Sequence, residues 1–456
     1  INLNYTSEIN SLKSAINLAE IKSLVTSKKF IEKLESKGIN IKEILDMVEV
    51  IYVEDLKPKI SKLKGLITYF SVKFIPSFLL KPIHLVKTNK DDVVMILFSS
   101  GSEGMPKGVE LTGDNILGNA QQIANIINVN EDDTIVGSLP LFHAFGIVVT
   151  TYMPLIEGIK CVAHPDPTDG LGVAKLVSKY KATIMCGTST FFRLYTKNQK
   201  IHPLMFESLR LIVAGAEKLR EDVRVEFKKR FGKEIFEGYG ATETSPVASC
   251  NLPDKLAPDF SIQIGQKMGT VGMPIPGTKI KIVDPQTFEE LGVNEEGMIL
   301  ISGIQVMRGY LKNEEKTKQV LKVINGKTYY ITGDKGKIDE DGFVTIVDRY
   351  SRFAKLGGEM ISLGAIEEKI SKLIELKEDS LIDFIVTSIE DEKKGEKIVL
   401  LISHVENEYI LELKEKILKN FENKLMIPNE IKIVQDIPKL GSGKKDFNAS
   451  KILAKS

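Results

Sequence analysis

Between residues 93 and 239, short apolar runs alternate with amphipathic stretches of helical period. No other feature of the chain restricts its fold as much. Val93–Phe98, Thr134–Leu139, Ile159–Ala163, Thr183–Cys186, Leu209–Ala214 and Ile235–Glu237 read as buried strands, and 112–127, Val173–Tyr180 and Arg220–Phe231 as helices. Such alternation implies parallel or mixed sheets covered by helices, an α/β fold. After about residue 265 glycine, proline and short β-rich segments take over (Val271–Val283, Gly297–Ile304, Lys327–Thr332, Gly342–Asp348), the pattern of a small barrel or an antiparallel sheet. A third section follows Arg349, with helices at Leu363–Leu373 and Tyr409–Asn420 and strands at Ser380–Val386, Lys397–Ser403 and Glu430–Val434, an α+β pattern. With 456 residues, more than one core is expected. The boundary falls at Asp348–Arg352, giving a large domain over 1–348 and a small C-terminal domain over 349–456.

Phe98-Ser-Ser-Gly-Ser-Glu-Gly-Met-Pro-Lys-Gly108 separates the first of these strands from the first helix. Glycines let a backbone approach an anion closely, and consecutive N–H groups with a lysine can then face phosphates. Lys107 lies between Pro106 and Gly108, so the Gly-Lys-Ser/Thr ending of a P-loop NTPase is missing. Taken alone, the segment fits a phosphate loop or a Ser/Gly-rich surface loop with a solvated lysine.

Charge and cysteine content exclude several classes. A net charge of +1 gives no argument for nucleic-acid binding, and only eight residues are arginine. Cys161, Cys186 and Cys250 lie far apart without a CxxC pair, which speaks against a metal site or a disulfide framework and favours a reducing compartment. No apolar run reaches the roughly 18–20 residues of a membrane span, and no signal peptide is visible. Residues 56–90 stand out, with eight lysines, no acidic residue and many apolar side chains, among them Leu66, Phe70, Phe74 and Phe78. That mixture suits a peripheral segment on anionic lipid, or a buried helical hairpin with solvated lysines; Pro76 and Pro82 break any long helix.

Seven further segments follow the loop in order: Pro140-Leu-Phe-His-Ala-Phe-Gly146, Val213-Ala-Gly-Ala-Glu-Lys-Leu219, Glu237-Gly-Tyr-Gly-Ala-Thr-Glu-Thr-Ser-Pro246, Tyr330-Ile-Thr-Gly-Asp334, Asp348-Arg349, Lys355-Leu-Gly-Gly-Glu-Met-Ile-Ser362 and Pro438-Lys-Leu-Gly-Ser-Gly-Lys444. As a set they resemble the adenylate-forming superfamily of acyl-CoA synthetases, luciferases and peptide-synthetase adenylation domains, over essentially the whole chain. The resemblance implies ATP and Mg²⁺ as cofactors. It implies that Ser99, Ser100, Gly101, Ser102, Gly104, Lys107 and Gly108 hold the β- and γ-phosphates. Gly215, Ala216, Glu217, Tyr239 and Gly240 would form the adenine pocket, and Thr242 and Glu243 would lie beside the α-phosphate, with Glu243 the metal ligand. Asp334 and Arg349 would contact the ribose, and Lys444 would bridge the carboxylate and the α-phosphate. His143 would border the acyl pocket. The small domain would turn about Arg352, bringing Gly357, Gly358 and Glu359 forward to line a thiol tunnel.

Three details narrow the resemblance: Ala214-Gly-Ala-Glu-Lys-Leu219, the arginine at 352, and Gly441-Ser-Gly-Lys444 followed by Asp446. They are similar to the acyl-[acyl-carrier-protein] synthetase half of bifunctional 2-acylglycerophosphoethanolamine acyltransferases. The implied reaction activates a long-chain fatty acid to acyl-AMP and passes it to the phosphopantetheine thiol of acyl carrier protein. It would serve lysophospholipid acylation at the cytoplasmic face of the inner membrane. The alternatives are a fatty acyl-CoA ligase, with CoA as acceptor, and a non-catalytic nucleotide- or lipid-binding fragment. The last arises because Ile1-Asn-Leu-Asn-Tyr-Thr matches a segment that several tens of residues normally precede, so the first subdomain is expected to be incomplete and no acyltransferase domain to be present. His164 and Asp169 also fit the His-x4-Asp pattern of glycerolipid acyltransferases, but two prolines separate them and the match is read as coincidence.

Overall fold

The computed structural model describes residues 1–36, 38–100, 106–356, 359–374, 382–391, 395–439 and 445–456. Its centre is a seven-stranded sheet in the order Met273–Pro274, Ser249–Cys250, Phe236–Tyr239, Leu211–Ala214, Ile184–Gly187, Thr134–Gly137, Lys160–Ala163. The last five run parallel and the first two antiparallel. Ile184–Gly187 and Leu211–Ala214 are buried at every position, which is why they read as unbroken apolar runs. Helices Gly113–Ile126, Gly170–Tyr180 and Glu221–Phe231 place Ile123, Val173, Val177 and Phe227 in the same core as the sheet.

A three-stranded sheet carries the glycine-rich loop. Val93–Ser100 pairs antiparallel with Pro106–Thr112, and Gly309–Tyr310 pairs with the far edge of the latter. The strand Pro106–Thr112 was not expected, because Pro106, Lys107 and Gly108 are poor strand formers; neighbours on both sides override that weak preference. The glycine-rich region after 265 resolves as an antiparallel sheet of Lys279–Val283, Gly297–Ser302, Lys327–Ile338, Leu321–Ile324 and Val344–Arg349. The expected helix at Leu363–Leu373 and strand at Glu430–Val434 occur with those bounds. Strands Phe353–Leu356, Glu359–Ser362, Asp383–Asp391 and Gly395–Ser403 pair with one another and with Glu430–Val434, and none of them pairs with a strand before residue 350.

Helices Lys62–Phe74 and Ser77–His84 bury none of their residues, so the buried-hairpin reading of 56–90 is overturned. The prolines act as expected: the first helix stops before Pro76, and the second is short and contains Pro82. Among the described residues no helix is long and apolar enough to cross a membrane.

Candidate active site

The site lies where the loop hairpin, the end of the central sheet and the antiparallel sheet meet. In the hairpin Ser99 stands opposite Lys107 and Phe98 opposite Gly108. A Cβ at Gly108 would come within 3.1 Å of Leu311 and 3.3 Å of Ile96, so close packing explains this glycine. Thr112 ends the strand and caps the following helix, exchanging hydrogen bonds with Asn115 in a capping box. Lys107 Nζ lies 5.7 Å from the centre of the Tyr310 ring.

Tyr310 links the hairpin to Glu243. Its hydroxyl donates to Glu243 Oε1 at 2.9 Å, and the Glu243 carbonyl accepts from Met307 N–H at 2.9 Å. Glu243 is buried, in the turn Thr242–Thr244 that follows the strand Phe236–Tyr239. Burial and the Glu243 charge both push the Tyr310 and Tyr330 phenols up, so both stay neutral donors. The sequence motifs mark neither tyrosine as a site residue. Tyr330 begins the quoted segment that ends at Asp334, which was the available signal; Tyr310 had none.

A second cluster surrounds Asp334. Tyr239 donates its hydroxyl proton to Asp334 Oδ2 at 2.6 Å, and Arg349 Nε donates to Oδ1 at 3.0 Å. Asp334 and Arg349 are direct partners in the strand ladder, which fixes the pair. Burial, then the Asp334 charge, raises the Tyr239 phenol far above its ordinary value, and Asp334 raises the Arg349 guanidinium. Buried Asp334 is therefore an acceptor shared by one cation and one neutral donor.

Tyr239 also faces an apolar cavity, together with His143, Gly215, Ala216, Gly240 and Thr242. Its lining also includes Ile123 and Ile126 of the capped helix, Ile127 just beyond it, and Leu211 and Val213 of the sheet. A Cβ at Gly215 would approach the Phe145 ring at 3.1 Å, a tight contact. Ala216 holds a left-handed φ of 74° at the same turn. The Glu217 carboxylate turns aside, accepting from Thr190 N–H at 2.5 Å in the first turn of helix Ser189–Lys197, and so ties the turn to that helix.

A family model described as "AMP-binding enzyme" matches residues 1–311, more than half of the chain. The chain belongs to the AMP-binding enzyme family. Among its relatives, a probable 4-coumarate–CoA ligase 2 of Dictyostelium discoideum is 31% identical over 378 residues, covering 80% of this chain and 65% of that protein. A long-chain-fatty-acid–CoA ligase of Bacillus subtilis is 29% identical over 309 residues, covering 67% and 52%. This AMP-binding enzyme thus spans about two thirds or less of the length of these curated relatives. ATP-bound MatB from Rhodopseudomonas palustris shares the fold at a TM-score of 0.78 and 23% identity, covering 100% of this chain and 83% of the other. An o-succinylbenzoate CoA synthetase of Bacillus subtilis, in complex with ATP and a magnesium ion, does so at 0.73 and 23%, covering 98% and 82%.

Of the AMP-binding enzyme's expected site residues, the structure gathers Lys107, Glu243, Tyr239, Asp334 and Arg349 through Tyr310 and the two sheets. Ser99 and Ser100 end the strand that leads into the loop. Gly101, Ser102, Gly104, Gly357, Gly358 and Lys444 lie outside the described residues. Lys439 and Lys445, on either side of residues 440–444, form an isolated antiparallel bridge, and both pair with the buried Asp383 at 2.7 and 3.6 Å. Arg352 is paired with Glu367 at 2.8 Å and Asp348 at 3.7 Å and lies 4.2 Å over the Phe447 ring. Asp348 also accepts from Ser362 Oγ (2.6 Å) and Gly364 N–H (2.8 Å), fastening the start of helix Leu363–Leu373 to the preceding sheet. Glu359 is exposed, opposite Leu356 in a hairpin. His164 and Asp169 do meet, at 3.1 Å, but the other Asp169 oxygen caps helix Gly170–Tyr180 through Gly172 N–H, which makes the pair structural.

Proposed function

We propose that this AMP-binding enzyme activates a long-chain fatty acid with ATP and transfers the acyl group to the phosphopantetheine thiol of acyl carrier protein. The observation that supports the reading is the apolar cavity lined by Tyr239, Thr242, Ile126 and Ile127, because Tyr239 also bonds Asp334 of the Asp334–Arg349 pair and Thr242 adjoins Glu243. A polar end for a nucleotide joined to an apolar recess suits a mixed anhydride of an aliphatic acid and AMP.

In the first step the fatty-acid carboxylate oxygen attacks the α-phosphorus of ATP. The new P–O bond forms as the bond to pyrophosphate breaks. Lys107 and the hairpin loop hold the leaving pyrophosphate, and Asp334 with Arg349 holds the ribose. Lys444 neutralises charge shared by carboxylate and α-phosphate, which repel each other until the bond forms. Glu243 suits Mg²⁺, a hard cation that prefers one or two carboxylates together with substrate phosphates over an all-protein cage. Bound there, the ion would neutralise the developing pyrophosphate. In the second step the thiol sulfur attacks the acyl carbonyl, the thioester forms and AMP leaves. The small domain turns about Arg352 between the steps, exchanging Lys444 for Gly357, Gly358 and Glu359. His143 borders the acyl group.

Pyrophosphate release on adding palmitate, ATP and Mg²⁺ tests the first step, and Lys444→Ala is expected to abolish ATP–pyrophosphate exchange. An unchanged exchange rate in that variant removes the role given to Lys444. Thioester formation with acyl carrier protein against CoA decides the acceptor. CoA is the second reading, favoured by relatives named long-chain-fatty-acid–CoA ligase. We place the reaction in lysophospholipid acylation or fatty-acid recycling, at the cytoplasmic face of the inner membrane.

A further inference from the structure

We infer that helices Lys62–Phe74 and Ser77–His84 form a docking surface for an anionic lipid bilayer. Leu63, Leu66, Ile67, Phe70 and Phe74 are spaced i, i+3, i+4, i+7 and i+11, so they make one apolar stripe along the first helix. Such a stripe normally faces a protein core. Here its five side chains are 47% to 68% exposed, and Phe70 and Phe74 stack on each other at 5.9 Å. The next helix adds Phe78, Leu79 and Ile83, also exposed.

The charge pattern selects the occupant. Lys62, Lys64 and Lys73 flank the stripe, Lys59, Lys81 and Lys87 add charge on either side of it in the chain, and residues 56–90 contain no acid; Lys90 pairs with Asp114 at 3.4 Å. The chain as a whole is nearly neutral at +1, so this is a concentration of positive charge rather than a general basicity. A stripe buried in the acyl region beneath lysines that reach back to headgroups is the arrangement of interfacial helices on anionic lipid. A neutral apolar partner would leave the lysines without a counterpart, and an acidic soluble partner would leave the stripe in water. The surface stands independently of which thiol accepts the acyl group.

The test is sedimentation of the full chain with vesicles of 30% phosphatidylglycerol in phosphatidylcholine and with pure phosphatidylcholine vesicles. Each lysine near such a surface strengthens binding about five-fold. Binding to the anionic vesicles is expected to exceed binding to neutral ones by at least fifty-fold and to fall as salt rises. Joint substitution of Lys62→Gln, Lys64→Gln, Lys73→Gln and Lys81→Gln should remove that preference. Phe70→Ser with Phe74→Ser should weaken binding about ten-fold or more, with an unchanged melting temperature and unchanged ATP–pyrophosphate exchange. Equal binding to both vesicle types, or none, overturns the inference. So does a concentration-dependent dimer that the Phe70→Ser, Phe74→Ser variant abolishes, which would make the stripe a contact between copies.

Discussion

Glu237 opens the segment that runs to Glu243, yet its own carboxyl faces away from both charge clusters. Burial pushes it up to about 7, against the opposing hydrogen bond from Leu219 N–H at 3.2 Å. The folded chain therefore binds a proton between its ordinary value of 4.5 and about 7 that the unfolded chain has lost. Stability should fall as pH rises through that window and stay low above it. Glu237→Gln keeps the acceptor without the charge. It should flatten the profile and exceed the parent at pH 8 by on the order of 2 kcal/mol. Urea unfolding from pH 4.5 to 8 checks this, and parallel profiles for the two proteins would refute it. Tyr310 acts at the same scale. Its hydroxyl is a neutral donor to a buried carboxylate, and such a bond is worth about 1.5–3 kcal/mol. Tyr310→Phe should lower ATP–pyrophosphate exchange roughly ten- to hundred-fold and shift its Mg²⁺ dependence, and should also lower the melting temperature because buried Glu243 loses a donor. Exchange at the parental rate across all Mg²⁺ concentrations would show that Tyr310 does not position Glu243.

At the level of elements, what could be read from the sequence depended on how local the cause was. Helix Leu363–Leu373 was legible because Ser362 caps it through Ala365 N–H and its apolar residues keep a helical period. The buried parallel strands were legible because both their faces are covered. Pro106–Thr112 was not, because only its partners at Val93–Ser100 and Gly309–Tyr310 make it a strand. The same contrast holds in the site. Tyr239, Asp334 and Arg349 were legible one by one from their segments, but the Tyr310–Glu243 hydrogen bond joins positions 67 residues apart and leaves no local trace. Asp383 is a similar case, since its partners Lys439 and Lys445 arrive from the end of the chain. Burial alone would raise its carboxyl, but Lys445 and Lys439 together hold it down to about 2. Its folded value is depressed, so its contribution is present above the ordinary 3.8 and lost as pH falls towards about 2. Asp383→Asn should cost about 2 kcal/mol at pH 7, with the difference from the parent closing towards pH 2. Melting temperatures of both proteins from pH 7 to pH 2 measure it; a constant gap would remove the electrostatic cause.

Across the whole molecule, among the described residues, Asp348 ties Arg352, Ser362 and Gly364 to the part before residue 349, and further side chains join the two parts away from that boundary. Arg193 Nη2 donates to the Ile382 carbonyl at 3.0 Å, Lys218 pairs with Glu368 at 2.9 Å, and the Arg220 guanidinium lies 5.9 Å over the Phe384 ring. The Lys218–Glu368 pair is exposed on both sides and contributes little. Away from the boundary Arg193 makes a partly buried contact, and its truncation leaves a carbonyl without its donor. Arg193→Ala should therefore speed tryptic cleavage in the segment Arg349–Lys355 several-fold, while Lys218→Ala should leave it nearly unchanged. Equal rates for both variants and the parent would show that the two parts are held elsewhere.

The small sheet beneath the loop has a consequence for synthesis. Its edge strand Gly309–Tyr310 pairs with Val109 and Glu110, about 200 residues earlier in the chain. At roughly 5–20 residues per second, about 10–40 seconds separate the emergence of the two from the ribosome. The hairpin that carries Lys107 must wait through that interval with its outer edge unpaired, so this end of the candidate site is among the last pieces of the first 311 residues to assemble.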